Sequence, residues 1–488
     1  MNLSVRCPVR VLLVVATLFL ILGAGRALTD EPTEDEGSFA CPAVNLITKG
    51  EFSTSVLDLT GTWGAGLRKR TYWTMPLSHL ALAGWFRIFG FGLMSMRSFS
   101  LLFGLIALAS LFQILRKLNG DSVVALVACA LVSVDFAFLR SAANGRMDIM
   151  RASLALAASA VFVSLRERSL PLAILLSHTL AAANSITHPN AIFGFLMLAL
   201  LTLRLDRSRL RWRLVALAGV PYAVALGGWS LYILQDPRDF ATQFFGNAGG
   251  RLWGLSSPLQ AIAAESIRYI GQGPAVTVLL RSLLFFGYSL GPAYVLAAKE
   301  LRRSAAAIAL LTTVLATMVY FAFLEGTKLH NYAVHVTPLL AALCAVAARD
   351  AMARFRAGAL VAAALVVFAV TQAGGTAIVI LRDSFHKTYH PVATYLSGAW
   401  DRKAMLWGSA ELGFRFGFVD ALVDDSAFGY YSGKRAEWLV LNKRYRNDHL
   451  SWRTKNPPLY DHVNRLLREE YHPVQEIGST IVYKRKDT

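Results

Sequence analysis

Charge is scarce in this chain. Only 16% of its 488 residues are Asp, Glu, Lys or Arg, against about a quarter in ordinary soluble domains. Cysteine is scarcer. Cys7, Cys41, Cys129 and Cys344 lie far apart, two of them inside hydrophobic runs, which excludes a disulfide framework or a Cys-based metal site. No Walker-type phosphate loop is present, nor a G-x-G-x-x-G in a strand–helix setting, so nucleotide-driven transport is disfavoured. There is no repeat of fixed period and no low-complexity tract.

Apolar residues are abundant, at 55%. They gather in eleven runs, near 8–28, 96–115, 122–139, 147–165, 170–186, 189–204, 213–234, 276–298, 304–324, 331–348 and 357–381. A bilayer span takes about 20 such residues, so the chain reads as an all-α polytopic membrane protein. The first run has Arg6 and Arg10 before it and Ala24-Gly-Arg-Ala27 at its end. Cleaved signal peptides share that pattern, but among so many further spans it reads as a retained anchor.

The net charge of +18 is therefore a matter of loops, not of nucleic acid. Basic residues fill alternate connections: Arg6 and Arg10; Arg116 and Lys117; Arg166 and Arg168; Arg204 to Arg213; Lys299, Arg302 and Arg303; Arg349, Arg354 and Arg356. The positive-inside rule assigns these to the cytoplasm. The other side then holds residues 29–95, the turns at 140–147, 187–188 and 325–330, the 235–275 segment, and everything beyond about 382.

That outer side carries the unusual residues. Asp30, Glu31, Glu34, Asp35 and Glu36 crowd together with no base among them. Like charges so placed repel one another and need water, a cation or a chemical task. A helix is expected from Asp35 to about Thr48, ending at Gly50. A second, capped by Thr74 with Pro76 in its first turn, runs to Gly90 as an apolar interfacial piece. Asp148, two residues after Arg146, opens the fourth span. Lys328, His330, Tyr332 and His335 stand at the mouth of the tenth, and His188 precedes Pro189 at another outer turn. Bland roles are available for each: a carboxylate favoured by the helix dipole, a snorkelling lysine, a capping histidine. The tail, 383–488, has soluble charge density and short apolar runs at 404–407, 438–441 and 480–483, as a small α/β domain would.

A carboxylate beside cations at one bilayer rim suits transfer of a sugar from a lipid phosphate. The base takes a proton from an acceptor hydroxyl, and the cations stabilise the departing phosphate. A secondary transporter would instead place its ionisable groups near the midplane and show repeat symmetry.

In order and topology these residues resemble the GT-C superfamily of glycosyltransferases, in particular the dolichyl-phosphate-mannose protein mannosyltransferase-like group and the lipid A aminoarabinose transferases. The matching stretches are Asp35-Glu36, then Thr48-Lys-Gly50; Tyr72-Trp-Thr-Met-Pro-Leu77, Ile88-Phe-Gly90 and Arg97; Asp148; and Lys328-Leu-His-Asn-Tyr332 with Pro338. The resemblance implies a transmembrane catalytic domain over 1–382, its first outer loop at 29–95, and an extracytoplasmic α/β domain over 383–488. It implies Asp35 as base, with Glu36 and Asp148 holding metal or acceptor. Arg97, Arg146, Lys328, His330 and Tyr332 would hold a polyprenyl-phosphate donor, and a lipid or glycan would be the acceptor. The chain departs from the family where Trp73-Thr-Met-Pro76 replaces Glu-Lys-Pro-Pro. A divalent metal would then draw on Glu36, His79 or His188. The implied activity is an inverting hexosyl- or pentosyltransferase of the plasma (inner) membrane, acting on its outer face. The alternatives are a flippase or transporter of lipid-linked sugars, or an O-antigen ligase or polymerase.

Overall fold

A computed structural model describes residues 7–249, 257–271, 275–326, 328–355 and 357–486. Arg6, Arg356, Thr327 and part of the 235–275 segment lie outside the described residues. The chain is an α-helical bundle with a five-stranded sheet at its C-terminal end.

Among the described residues, eight helices are long and apolar enough to cross a bilayer, or nine if one bent pair counts as a span. The eleven hydrophobic runs thus outnumber the helices that meet this standard. The run near 170–186 forms a helix of only 16 residues, Leu170–Ser185. The run near 331–348 begins as a 3₁₀ turn, His330–His335, and its helix, Thr337–Arg354, carries Arg349, Asp350 and Arg354. The third run breaks into α5 (Ser122–Val134) and α6 (Phe136–Ala142), inclined by 68°. Asp135 sits at the break and caps α6 through Phe138 N (2.8 Å). The helices Trp212–Ile233 and Gly358–Arg382 have no fully buried apolar residue, as expected of helices with a face to lipid.

The bundle has two charged rims. One carries Arg166–Asp206 (2.6 Å), Arg349–Asp121 (2.8 Å) and Arg354–Asp350 (2.6 Å). The other carries the end of α1 (Pro8–Thr29), α2 (Glu34–Thr48), α3 (Leu77–Phe89), the start of α4 (Leu93–Asn119) and the start of α7 (Asp148–Leu165).

Local chemistry shapes α2 and α3. Thr33 and Glu36 form a capping box: Glu36 N donates to Thr33 Oγ1 and Thr33 N to Glu36 Oε2, which satisfies two orphan amides. The helix ends before Gly50, whose φ is 71°. The expected Thr74 cap of α3 is not made. Pro76 occupies the cap position, and Thr74 Oγ1 bonds His79 Nε2 at 2.7 Å. Leu80, Ile88 and Phe89 lie on the exposed face of α3, in keeping with an interfacial helix.

The last long helix does not stop at the membrane rim but continues to Ala399. The strands follow: β1 (Leu406–Trp407), β2 (Leu422–Val423), β3 (Trp438–Leu441), β4 (Tyr471–Ile477) and β5 (Thr480–Arg485), in sheet order β2-β1-β3-β5-β4. The sheet does not stand apart from the first loop. Phe39, Val56, Leu82, Leu406, Trp438 and Val482 share one core. Asp424 N donates to Val56 O (2.7 Å), and Asp58 N to Asp424 O (3.1 Å). A Cβ on Gly37 would stand 2.3 Å from the Ala410 carbonyl carbon and 2.5 Å from Glu411 N. Gly37→Ala should therefore lower the thermal stability of the purified protein by forcing two backbones apart. An unchanged melting temperature would show that this contact is slack.

Candidate functional site

The acidic cluster divides as soon as its partners are seen. Glu36 is fully buried and meets Arg97, itself 1% exposed, through two hydrogen bonds of 2.8 and 3.0 Å. Glu36 Oε1 also accepts from Gly145 N (3.1 Å). Arg97 donates onward to the carbonyls of Ala27 (2.7 Å), Asp30 (2.8 Å) and Glu31 (3.3 Å). One ion pair thus ties together the ends of α1 and α2, the start of α4 and the turn before α7. Glu36 and Arg97 were expected at catalysis and at the donor; here their polar atoms are engaged by one another and by backbone.

Asp35, one residue away, is different. Its side chain is 39% exposed and touches Arg146 through Nη1. Arg146 also donates from Nε to Asp148 Oδ2 (2.8 Å). The guanidinium thus lies between two carboxylates and over the Phe39 ring (5.6 Å). Asp148 is wholly buried, and its other oxygen stands 3.8 Å from His335 Nε2. Asp35, Arg146 and Asp148 are brought together as the sequence suggested, with Asp35 alone open to an incoming molecule.

The other expected donor ligands form a second group. Lys328 Nζ turns inward to the carbonyls of Phe321 (2.6 Å) and Ala322 (3.0 Å) and to Glu265 Oε2 (3.1 Å). Arg268 bridges Glu265 (2.6 Å) and Glu325 (2.6 Å). Tyr332 is buried, with the Phe321 ring at 5.9 Å. His188 accepts from Asn190 N through Nδ1 (3.0 Å) and lies 6.2 Å, ring to ring, from His335. Glu36 and His188 are not assembled into a metal site. Among the described residues, no three His, Cys, Asp or Glu side chains converge as metal ligands. With both Glu36 oxygens held by Arg97, this pair does not fit a metal.

His330 opens onto a cavity of about 400 Å³ between α6 and the helices Ala275–Ala297, Thr337–Arg354 and Gly358–Arg382. Leu284, Phe285, Leu340 and Ile378 make it greasy, and Arg281 and Arg382 make it basic at its edge. Arg26 and Arg140 stand close by: both act electrostatically on His330, together with Arg281. Burial first, and then these arginines, push the His330 imidazole down to about 4, so it is neutral at pH 7. Arg26 pairs with Asp30 (2.8 Å), whereas neither Arg140 nor Arg281 has a carboxylate partner within 4 Å among the described residues. At the cavity floor Asp135 accepts from Tyr288 (2.9 Å) and Gln372 (2.9 Å).

Arg26, Arg140, Arg281 and Asp135 were not anticipated. A signal existed: Arg26 and Arg140 are arginines on the side that the positive-inside rule leaves poor in them, and Arg281 lies five residues into a span. The 3₁₀ turn His330–His335 joins the two places, with His330 at the cavity and His335 at Asp148. At 2.0 Å per residue the turn spans about 10 Å.

Comparison with known proteins bears on the fold. The sequence profile of the dolichyl-phosphate-mannose-protein mannosyltransferases matches residues 74–229. No curated protein matches the chain by sequence. Among solved structures, the chain resembles ArnT from Cupriavidus metallidurans bound to undecaprenyl phosphate. The TM-score is 0.64 at 15% identity, over 97% of each chain. It also resembles the oligosaccharyltransferase of Archaeoglobus fulgidus, with a TM-score of 0.58 at 12% identity, over 98% of this chain and 74% of the other. A complex of that protein with zinc and sulfate gives a TM-score of 0.58 at 13% identity, over 97% and 73%. The fold is that of the GT-C glycosyltransferases.

Proposed function

We propose that the chain is a membrane glycosyltransferase that moves a sugar from a polyprenyl phosphate to a hydroxyl acceptor with inversion, at the rim bearing the C-terminal domain. The observation that carries this reading is the half-exposed Asp35, linked through Arg146 and Asp148 to His335, at one end of the turn whose other end, His330, opens onto a greasy cavity fringed by arginines. The fold it shares with ArnT, solved with undecaprenyl phosphate, supports the same reading, as does the mannosyltransferase profile over 74–229. Positive-inside counting assigns this rim to the outer face of the plasma membrane.

In this reading the prenyl tail lies along Leu284, Phe285 and Ile378, and the phosphate meets Arg281, Arg140 and His330. Arg146 pairs with Asp35 and aims it. Asp35 takes the proton of the acceptor hydroxyl. The hydroxyl oxygen bonds to the anomeric carbon as the bond from that carbon to the phosphate oxygen breaks. The electron pair leaves with the phosphate, which the arginines stabilise. One displacement inverts the centre. Glu36 and Arg97 position α2 without touching substrate, and Lys328, Arg268 and Glu325 brace the His330–His335 turn.

The donor half is tested by Arg281→Gln. At an effective dielectric of 20 a charge pair about 4 Å apart is worth up to about 4 kcal/mol; solvent access reduces this. Undecaprenyl phosphate should bind roughly 10- to 100-fold more weakly, as measured by native mass spectrometry of the protein in lipid nanodiscs. Equal affinity for parent and variant would remove the phosphate from this cavity.

A further inference from the structure

A second cavity, of about 260 Å³, lies at the seam where the first turn of α2 meets the C-terminal domain. The sugar-transfer step described above does not use it. Its polar wall includes Glu34, Glu411, Asn442, Arg444 and Thr480, and its apolar wall Tyr389, Leu412 and Val440. Arg444 spans the seam, with Nε 3.5 Å from Glu34 Oε1 and Nη1 3.1 Å from Asp424 Oδ2. Asn442 Nδ2 donates to Glu411 Oε1 (3.2 Å), and Ser409 Oγ meets Glu411 Oε2.

We infer that this seam is the binding site for a saccharide unit of the acceptor. The inference rests on the glycosyltransferase reading and adds to it the chemical class of the acceptor. A sugar presents several hydroxyls, each both donor and acceptor, around apolar C–H faces. It needs a wall that mixes carboxyl, amide, guanidinium and hydroxyl groups beside an apolar strip, and the seam has that mixture. Burial, together with Glu34 and Asp424 nearby, pushes the Glu411 carboxyl up to about 8. At neutral pH it is largely a neutral acid that donates as well as accepts. The volume admits a monosaccharide unit. Glu34 lines the seam and precedes Asp35 in the first turn of α2, so the seam and the base are held by the same helical turn. The C-terminal domain is then the half of the acceptor site that the first loop lacks.

The test uses the full chain in nanodiscs, with Cys7→Ser to remove the exposed thiol and Ser479→Cys to place one in the exposed hairpin at the cavity edge. The rate of modification by a methanethiosulfonate reagent is measured with methyl α-mannoside, methyl α-glucoside, methyl β-galactoside or inorganic phosphate, and labelling of the Cys7→Ser parent is subtracted. At least one glycoside should slow labelling five-fold or more. Glu411→Gln and Asn442→Ser should each remove that protection. The serine oxygen keeps the cap on Tyr445 N that Asn442 Oδ1 provides at 3.0 Å. Undecaprenyl phosphate affinity should stay within two-fold in both variants. Protection by phosphate alone, by no glycoside, or undiminished in both variants overturns the proposal. Failure of the parent to bind undecaprenyl phosphate would count instead against the glycosyltransferase reading, so the two failures are distinct.

Discussion

Asp35→Asn should cost about three orders of magnitude in sugar transfer while leaving the protein folded and able to bind undecaprenyl phosphate. General-base removal typically costs 10²- to 10⁴-fold, and no second exposed carboxylate stands ready at Arg146: its other partner, Asp148, is buried and already bonded. Asparagine keeps an oxygen for Arg146 Nη1, so the turn before α7 should hold. The check is lipid analysis of cells carrying the variant as their only copy, where a polyprenyl-phosphate sugar should accumulate. In parallel, nanodisc-embedded protein should bind undecaprenyl phosphate normally. A variant with parental transfer would take Asp35 out of the base role; loss of both properties together would make it structural.

Glu36→Ala or Arg97→Met should be the most damaging single changes to stability. Each leaves an unpaired charge in a place the partner occupies at 0% or 1% exposure. Stranding one member of such a pair costs about 3–5 kcal/mol, a large share of the roughly 5–15 kcal/mol that holds a typical protein folded. The damage should spread, because Arg97 also carries the carbonyls of Ala27, Asp30 and Glu31. Arg97→Lys should not rescue, since an ammonium cannot reproduce the two-pronged geometry. The double variant Glu36→Gln, Arg97→Met should recover part of the loss, because no orphan charge remains. Detergent-solubilised yield and the temperature of aggregation report this. Single variants as stable as the parent would show the pair to be dispensable.

These two neighbours show how far the sequence carries. Positions 35 and 36 are both acidic, and from the sequence alone both looked chemical. Helical geometry turns successive residues by about 100°, so one faces Arg146 and the open side while the other faces the junction of four elements. Nothing in the one-dimensional order distinguishes the two directions. Glu36 and His188 do not meet as metal ligands for the same reason: Glu36 is consumed by Arg97, a residue 61 positions away. The basic cavity was likewise hidden, because its arginines come from separate helices scattered between residues 26 and 382.

What the sequence by itself determined is the membrane bundle, its two-sided distribution of charge, the α2 helix with its glycine stop, and the placement of the unusual carboxylates on one rim. Those features depend on local composition, capping and the energetics of inserting charge into lipid, which act within a segment. Only the tertiary structure decided which carboxylate is open and which is locked, where the arginines gather around one cavity, and that the C-terminal sheet shares a core with the first loop. Those outcomes depend on which distant side chain comes to neutralise or bury a given group, and that is settled only when the helices pack.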